Sequence, residues 1–148
     1  MIDEPIEKCI EDWHKCIKGE LPGGLDAILA DDVVFLSPIV FTPQKGIDLT
    51  KIYLQAAGGT FSGDSTPKKN LSKMSDSGFR YSKEVLTGNH AVLEFETEVA
   101  GKYVNGVDII TCNDEGKIVE FKVMIRPLQA VNVMHEMMAA MIEKMKGG

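Results

Sequence analysis

No run of about 18 apolar residues occurs in the sequence, so no helix is expected to span a bilayer. Basic residues are in the minority: 16 Lys and Arg against 22 Asp and Glu give a net charge of -6. A sequence-independent grip on nucleic acid needs a basic face for the phosphates, so nucleic acid is not expected as a partner. The same deficit argues against an anionic membrane surface. Histidine and cysteine are scarce, with three of each. His14, His90 and His135 stand apart and there is no Cys-x-x-Cys, so no metal site is expected. Cys9 and Cys16 lie on one expected helix, about 10 Å apart along its axis, too far for a disulfide. Reduced thiols and a cytoplasmic location are the simple expectation. There is no Gly-x-Gly-x-x-Gly and no phosphate loop, so no cofactor is expected. The start, Met1-Ile2-Asp3-Glu4-Pro5, lacks the basic residues and apolar core of a signal peptide.

What is present is ordinary globular material. Of 148 residues, 44% are hydrophobic and 26% charged, which suits one domain over 1–148 with a sizeable core. Ile6, Cys9, Ile10, Trp13 and Ile17 recur at helical spacing, and Gly19 and Pro22-Gly23-Gly24 end that helix. A short helix from Leu25 to about Ala30 leads into a strand from Val33 to Leu36, ended by Ser37-Pro38. Gly46 to about Ala57 reads as a third helix. The stretch 58–78 is rich in Gly, Ser and Lys and reads as a long loop, either a lid or plain solvated surface.

From Phe79 the pattern turns to strands over 79–86, 90–100, 103–112 and 117–126, parted by turn signals. That is a four-stranded antiparallel meander, and Pro127 ends it. Val131, Met134, Met138, Met141 and Met145 then mark a final amphipathic helix, as a core seam or an adaptable wall. Helices first and a sheet later make the fold class α+β.

One residue breaks the pattern. With the last hairpin turning at Glu115-Gly116, Asp108 lies opposite Val123, on the face of Val119, Phe121 and Ile125. With the preceding hairpin turning at Gly101-Lys102, Asp108 faces Phe95, and Glu94, Glu96 and Glu98 point away. Both neighbouring strands therefore put this carboxyl on their apolar face. Desolvation there raises its pKa, which suits a general acid or base near neutral pH. The other reading is an Asp paired with an unseen cation or amide and serving only the fold.

The order of helix, short helix, Leu29-Ala30-Asp31-Asp32-Val33-Val34-Phe35 and a helix from Gly46 comes before a long meander. In that meander Gly106-Val107-Asp108 is followed by Gly116-Lys117-Ile118-Val119-Glu120-Phe121. The whole resembles the nuclear-transport-factor-2-like superfamily, which includes ketosteroid isomerases, limonene-epoxide hydrolases and SnoaL-like polyketide cyclases. The resemblance implies a cone: N-terminal helices on a strongly curved antiparallel sheet, a C-terminal helix, and an apolar interior that holds a ligand. It also implies that Asp108 is a pocket acid like the protonated Asp of the isomerases. The isomerases' general-base Asp would fall at Ser37, and their oxyanion tyrosine near Trp13. Neither residue does that work, so steroid isomerisation is not the expected reaction. The Arg–Asp pair of the epoxide hydrolases is missing as well.

Around Asp108 the expected pocket walls are Trp13, Leu36, Ser37, Phe41, Tyr53, Tyr81, Phe95, Phe121, Val123 and Ile125. His14, one position off its helix stripe, is expected to be partly exposed without a ligand role. Three function classes stay open. The first is a SnoaL-like isomerase, cyclase or hydrolase acting on a hydrophobic carbonyl, polyketide-like or terpenoid molecule through Asp108. The second binds such a hydrophobic small molecule without turning it over, since a binder needs only apolar walls and one orienting group. The third is a homodimer through the open sheet face, where Val107, Ile109 and Met124 sit among Glu94, Glu96 and Lys122.

Overall fold

The structure, a computed structural model, describes residues 4–61 and 78–147. Its elements run α1 (Pro5–Ile17), α2 (Leu25–Ile28), β1 (Leu29–Leu36), β2 (Gln44–Lys45), α3 (Ile47–Phe61), β3 (Arg80–Thr87), β4 (His90–Val99), β5 (Lys102–Cys112), β6 (Ile118–Arg126) and α4 (Leu128–Gly147). The six strands form one sheet in the order β2-β1-β6-β5-β4-β3. The meander β3 to β6 is antiparallel throughout. β1 joins its edge in parallel with β6, so the complete sheet is mixed.

The loop expected over 58–78 does not hold for its first positions. Positions 58–61 continue α3, and glycine weakens a helix by only about 1 kcal/mol, too little to end one by itself. Positions 62–77 of that expected loop lie outside the described residues. α1 buries its whole stripe, Ile6, Cys9, Ile10, Trp13 and Ile17, together with Cys16. Its first turn is tied to the β3–β4 turn, where Ile6 N–H donates to the Gly88 carbonyl at 3.1 Å. α1, α3 and α4 all lie against the sheet, and α3 also packs on α4. Between helices and sheet sit Trp13, Leu93, Phe95, Val104, Ile110 and Phe121, all buried. Among the described residues no helix is long and apolar enough to cross a membrane.

The register shifts in three pairings, β1–β6, β3–β4 and β5–β6, and the latter two bear on the site, as an extra residue in one strand sharpens twist and re-aims its neighbours. Between β3 and β4 the pairing steps from Tyr81↔Phe95 to Lys83↔Glu94, leaving Ser82 unmatched. Without that extra residue Tyr81 and Lys83 would share a face. With it, Tyr81 turns to the concave face beside Phe95 while Lys83 joins Glu94 outside. The second bulge lies between Thr111 and Cys112, and here the hairpin ends Cys112↔Ile118. As a result Ile118, not Val119, is the fully buried residue at this end.

The two registers around Asp108 differ in outcome. Asp108 pairs with Val123, as the spacing predicts. On the other side it pairs with Leu93, not Phe95. The β4–β5 turn is Ala100-Gly101, with φ of 51° and 79°, the doubly positive form that matches strand twist in a two-residue hairpin. A shift of two residues keeps every side chain on its face, so the carboxyl still points inward.

Candidate active site

Asp108 sits mid-strand on the concave face, only 6% exposed. Tyr81, on the neighbouring inner row, donates its O–H to Asp108 Oδ2 at 2.6 Å. Trp13, from α1, donates its indole N–H to Tyr81 Oη at 2.8 Å. A chain of two bonds therefore runs from the first helix through an edge strand to one carboxyl oxygen. Burial pushes the Asp108 carboxyl up to about 7, and the Tyr81 hydrogen bond opposes part of that rise. The Tyr81 phenol is itself raised, first by burial and then by the adjacent Asp108 carboxylate.

A glycine makes the geometry possible. Gly106 lies on the inner row between Phe95 and Ile125. A Cβ there would stand 2.6 Å from Phe95 Cζ and 2.6 Å from the Met124 carbonyl oxygen. The missing side chain lets the Phe95 ring lie across the strand, where it stacks on Phe79 with centroids 5.1 Å apart.

On the open side of Asp108 lies a cavity of about 310 Å³. Of the expected wall residues, Trp13, Ser37, Tyr53, Phe121, Val123 and Ile125 line it together with Asp108. Trp13 meets Phe121 edge to face at 5.1 Å, and Tyr53 stacks on Phe35 at 5.4 Å. Four others do not line it. Leu36 is corrected to Phe35, because β1 alternates faces and the inward place falls one residue earlier. Phe41 is fully exposed, carried outward in the segment that follows β1. Tyr81 and Phe95 stand behind the wall, one bonded to Asp108 and the other filling the space over Gly106. Ser37 Oγ accepts the N–H groups of Ile39 and Val40 at 3.0 and 3.2 Å, so its role in the geometry is to turn the chain.

The α4 methionines act as the adaptable wall that was one of their two expected roles, while Ile142 and the row beside them were not expected. Met134, Met138 and Ile142 line the cavity in one helical row, and His135, Ala139 and Glu143 in the next. The second row is exposed and forms a polar edge to an apolar hole. The i, i+4, i+8 spacing of those three is a helical signal that the methionine stripe beside it obscured. His14 lies behind Tyr81, stacked on it at 6.0 Å, with Nε2 2.7 Å from Glu84 Oε2. Cys9, Cys16 and Cys112 are free and buried. Burial pushes the Cys9 thiol above the usual range and Cys16 up to about 12, so neither is an effective nucleophile.

Chemically, the site offers one carboxyl that changes protonation near neutrality, held by one oxygen. It also offers apolar aromatic and aliphatic walls. Neutral Asp108 donates a hydrogen bond to an acceptor in the cavity, and ionised Asp108 accepts one or takes a proton.

No protein-family model and no curated protein sequence matches the chain. Solved structures do. A steroid delta-isomerase from Pseudomonas aeruginosa superposes with a TM-score of 0.83 at 25% identity, over 99% of this chain and 98% of that one. A protein with a cystatin-like fold from Silicibacter pomeroyi gives 0.73 at 29% identity, over 89% and 83%. A nuclear-transport-factor-2-like protein of unknown function from Mesorhizobium loti gives 0.59 at 17% identity, over 86% and 98%, a likeness of fold alone.

Proposed function

We propose that this chain, whose fold is that of nuclear-transport-factor-2-like proteins, is a SnoaL-like enzyme. It catalyses acid–base chemistry on a hydrophobic carbonyl compound of polyketide or terpenoid type. The observation that carries the reading is Asp108, a buried carboxyl with a pKa of about 7 facing an apolar cavity. The substrate carbonyl accepts a hydrogen bond from neutral Asp108, which stabilises charge as it develops on oxygen. A base then takes the proton from the adjacent carbon. The C–H electron pair moves into the carbon–carbon bond, and the carbonyl π pair goes to oxygen. His135, on the cavity's polar edge, is our candidate for that base, because imidazole is the commonest general base in enzymes. The enolate is reprotonated at the same or a conjugated carbon, and the proton count closes.

The test uses 2-acetylnaphthalene in D2O, with exchange of its methyl protons followed by NMR. Exchange faster than buffer, lost in Asp108→Asn and reduced in His135→Gln, is expected. Saturable binding with no exchange would instead favour a non-catalytic binder of hydrophobic small molecules. One observation supports that second reading: His135 and Glu143 are exposed, which leaves Asp108 as the buried ionisable group of the wall.

The outer face of the sheet belongs to the same proposal. Val85 and Val92 pair across β3 and β4, Val92 with Ile109, and Val107 with Met124, forming one continuous apolar band. Val85 and Met124 are about half exposed, at 53% and 51%. Contiguous patches of this kind mark contacts, and a second copy of the chain is the partner we assign. Light scattering should give twice the one-chain mass, and Met124→Glu should return it to one.

A further inference from the structure

We propose that Trp13 is a positioning residue that fixes the acidic proton of Asp108 on Oδ1, the oxygen left for the ligand. The inference rests on the reading of Asp108 as the group that meets the ligand, and it follows from counting donors. An indole N–H is a donor and nothing else, whereas a phenol oxygen accepts and also donates one proton. Trp13 fills one acceptor position of Tyr81 Oη at 2.8 Å. The Tyr81 proton therefore cannot point toward α1, and it goes to Asp108 Oδ2 at 2.6 Å. If neutral Asp108 carried its proton on Oδ2, that proton would turn to Tyr81, and the Tyr81 proton would lose its acceptor. A buried donor left unmade costs about 1–3 kcal/mol. The proton of the neutral acid accordingly sits on Oδ1. Trp13 is 2% exposed and wedged edge-on against Phe121, so the indole has no freedom to turn away.

Other groups bear on Asp108 from each element around it. Tyr81 comes from β3, with Glu84 and His14 behind it. Tyr53 comes from α3, and His135 and Glu143 from α4 across the cavity. None of these fixes the direction of the Tyr81 bond. Trp13 does so, and by donating to Tyr81 it also makes the phenol a better donor to the carboxylate.

The test reads Asp108 directly and does not use turnover. The chain has one tryptophan, so its amide spectrum contains one indole resonance. With 15N-labelled wild-type chain, that resonance should move with pH at the same midpoint as the 13C-labelled Asp108 carboxyl. Trp13→Phe keeps an aromatic ring and removes the donor. It weakens support for the anion, so the Asp108 midpoint should rise by roughly half a unit. Tyr81→Phe removes the bond itself and should raise it by about one unit or more. Affinity for 2-acetylnaphthalene relative to 2-isopropylnaphthalene, measured at pH 5.5, should fall about threefold in Trp13→Phe while the hydrocarbon binds as before. An indole resonance that stays flat while Asp108 titrates overturns the proposal in the wild-type chain alone. An unmoved Asp108 midpoint in a folded Trp13→Phe does the same. Failure to exchange ketone protons counts against the enzyme and not against this inference.

Discussion

Asp108 and Glu94 occupy neighbouring rows of the same two strands and experience different solvents. Asp108 pairs with Leu93 on the concave face, and Glu94 pairs with Val107 on the convex one. Asp108 is buried and accepts from a phenol that is held in turn by an indole. Glu94 accepts from Asn105 at 3.0 Å at a part-buried position, and its neighbour Glu96 pairs with exposed Arg80 at 3.2 Å. Strand parity alone separates the two kinds of carboxylate. The acidic row outside supplies charge, and in the proposed function the buried acid inside supplies chemistry.

That contrast can be broken most severely at the inner residue. Asp108→Asn should lower the rate of ketone proton exchange by about 10²–10⁴. Glu94→Gln, on the other face, should leave it within about twofold. A comparable loss in both variants would erase the distinction.

Stability sharpens the same contrast. The folded Asp108 value of about 7 lies above the ordinary carboxylate value of 3.8, so between those values the folded state holds a proton that the unfolded chain has released. This group's contribution is fully present below about pH 4 and is lost as pH rises through 7. Asp108→Asn removes the loss, so denaturant unfolding at pH 8 should find the variant more stable by something on the order of 4 kcal/mol, relative to the difference at pH 4. A variant less stable at pH 8 would mean an ionised, paired carboxylate.

Packing differs between the faces as well. Gly106→Ala would drive a methyl into Phe95 and the Met124 carbonyl, and should destabilise the chain by about 1–3 kcal/mol in the same assay. The smallest effect is outside: Glu96→Gln loses one exposed ion pair with Arg80 and should cost no more than about 0.5 kcal/mol.

How far the sequence disclosed this can be followed residue by residue. Period-two alternation was legible, and because parity survives a two-residue slip, Asp108 faced inward even though its β4 partner was Leu93. The helical stripe of α1 and the turn signals of the meander were legible for the same reason: they are local. Tyr81 reaching Asp108 was not, since it depends on an extra residue at Ser82 that no spacing announces. Phe35 in place of Leu36 depends on where β1 enters the sheet, a long-range matter. The parallel pairing of β1 with β6 lies beyond any local pattern. His135 and Glu143 were hidden because a cavity edge is made by what the helix faces and not by its own sequence.

The most direct measurement is a carboxyl 13C titration of Asp108 in the unliganded wild-type chain. A midpoint of about 7 is expected from a buried acid held by Tyr81. A midpoint near 4, the ordinary carboxylate range, would contradict it and leave Asp108 as one more solvated acid among many.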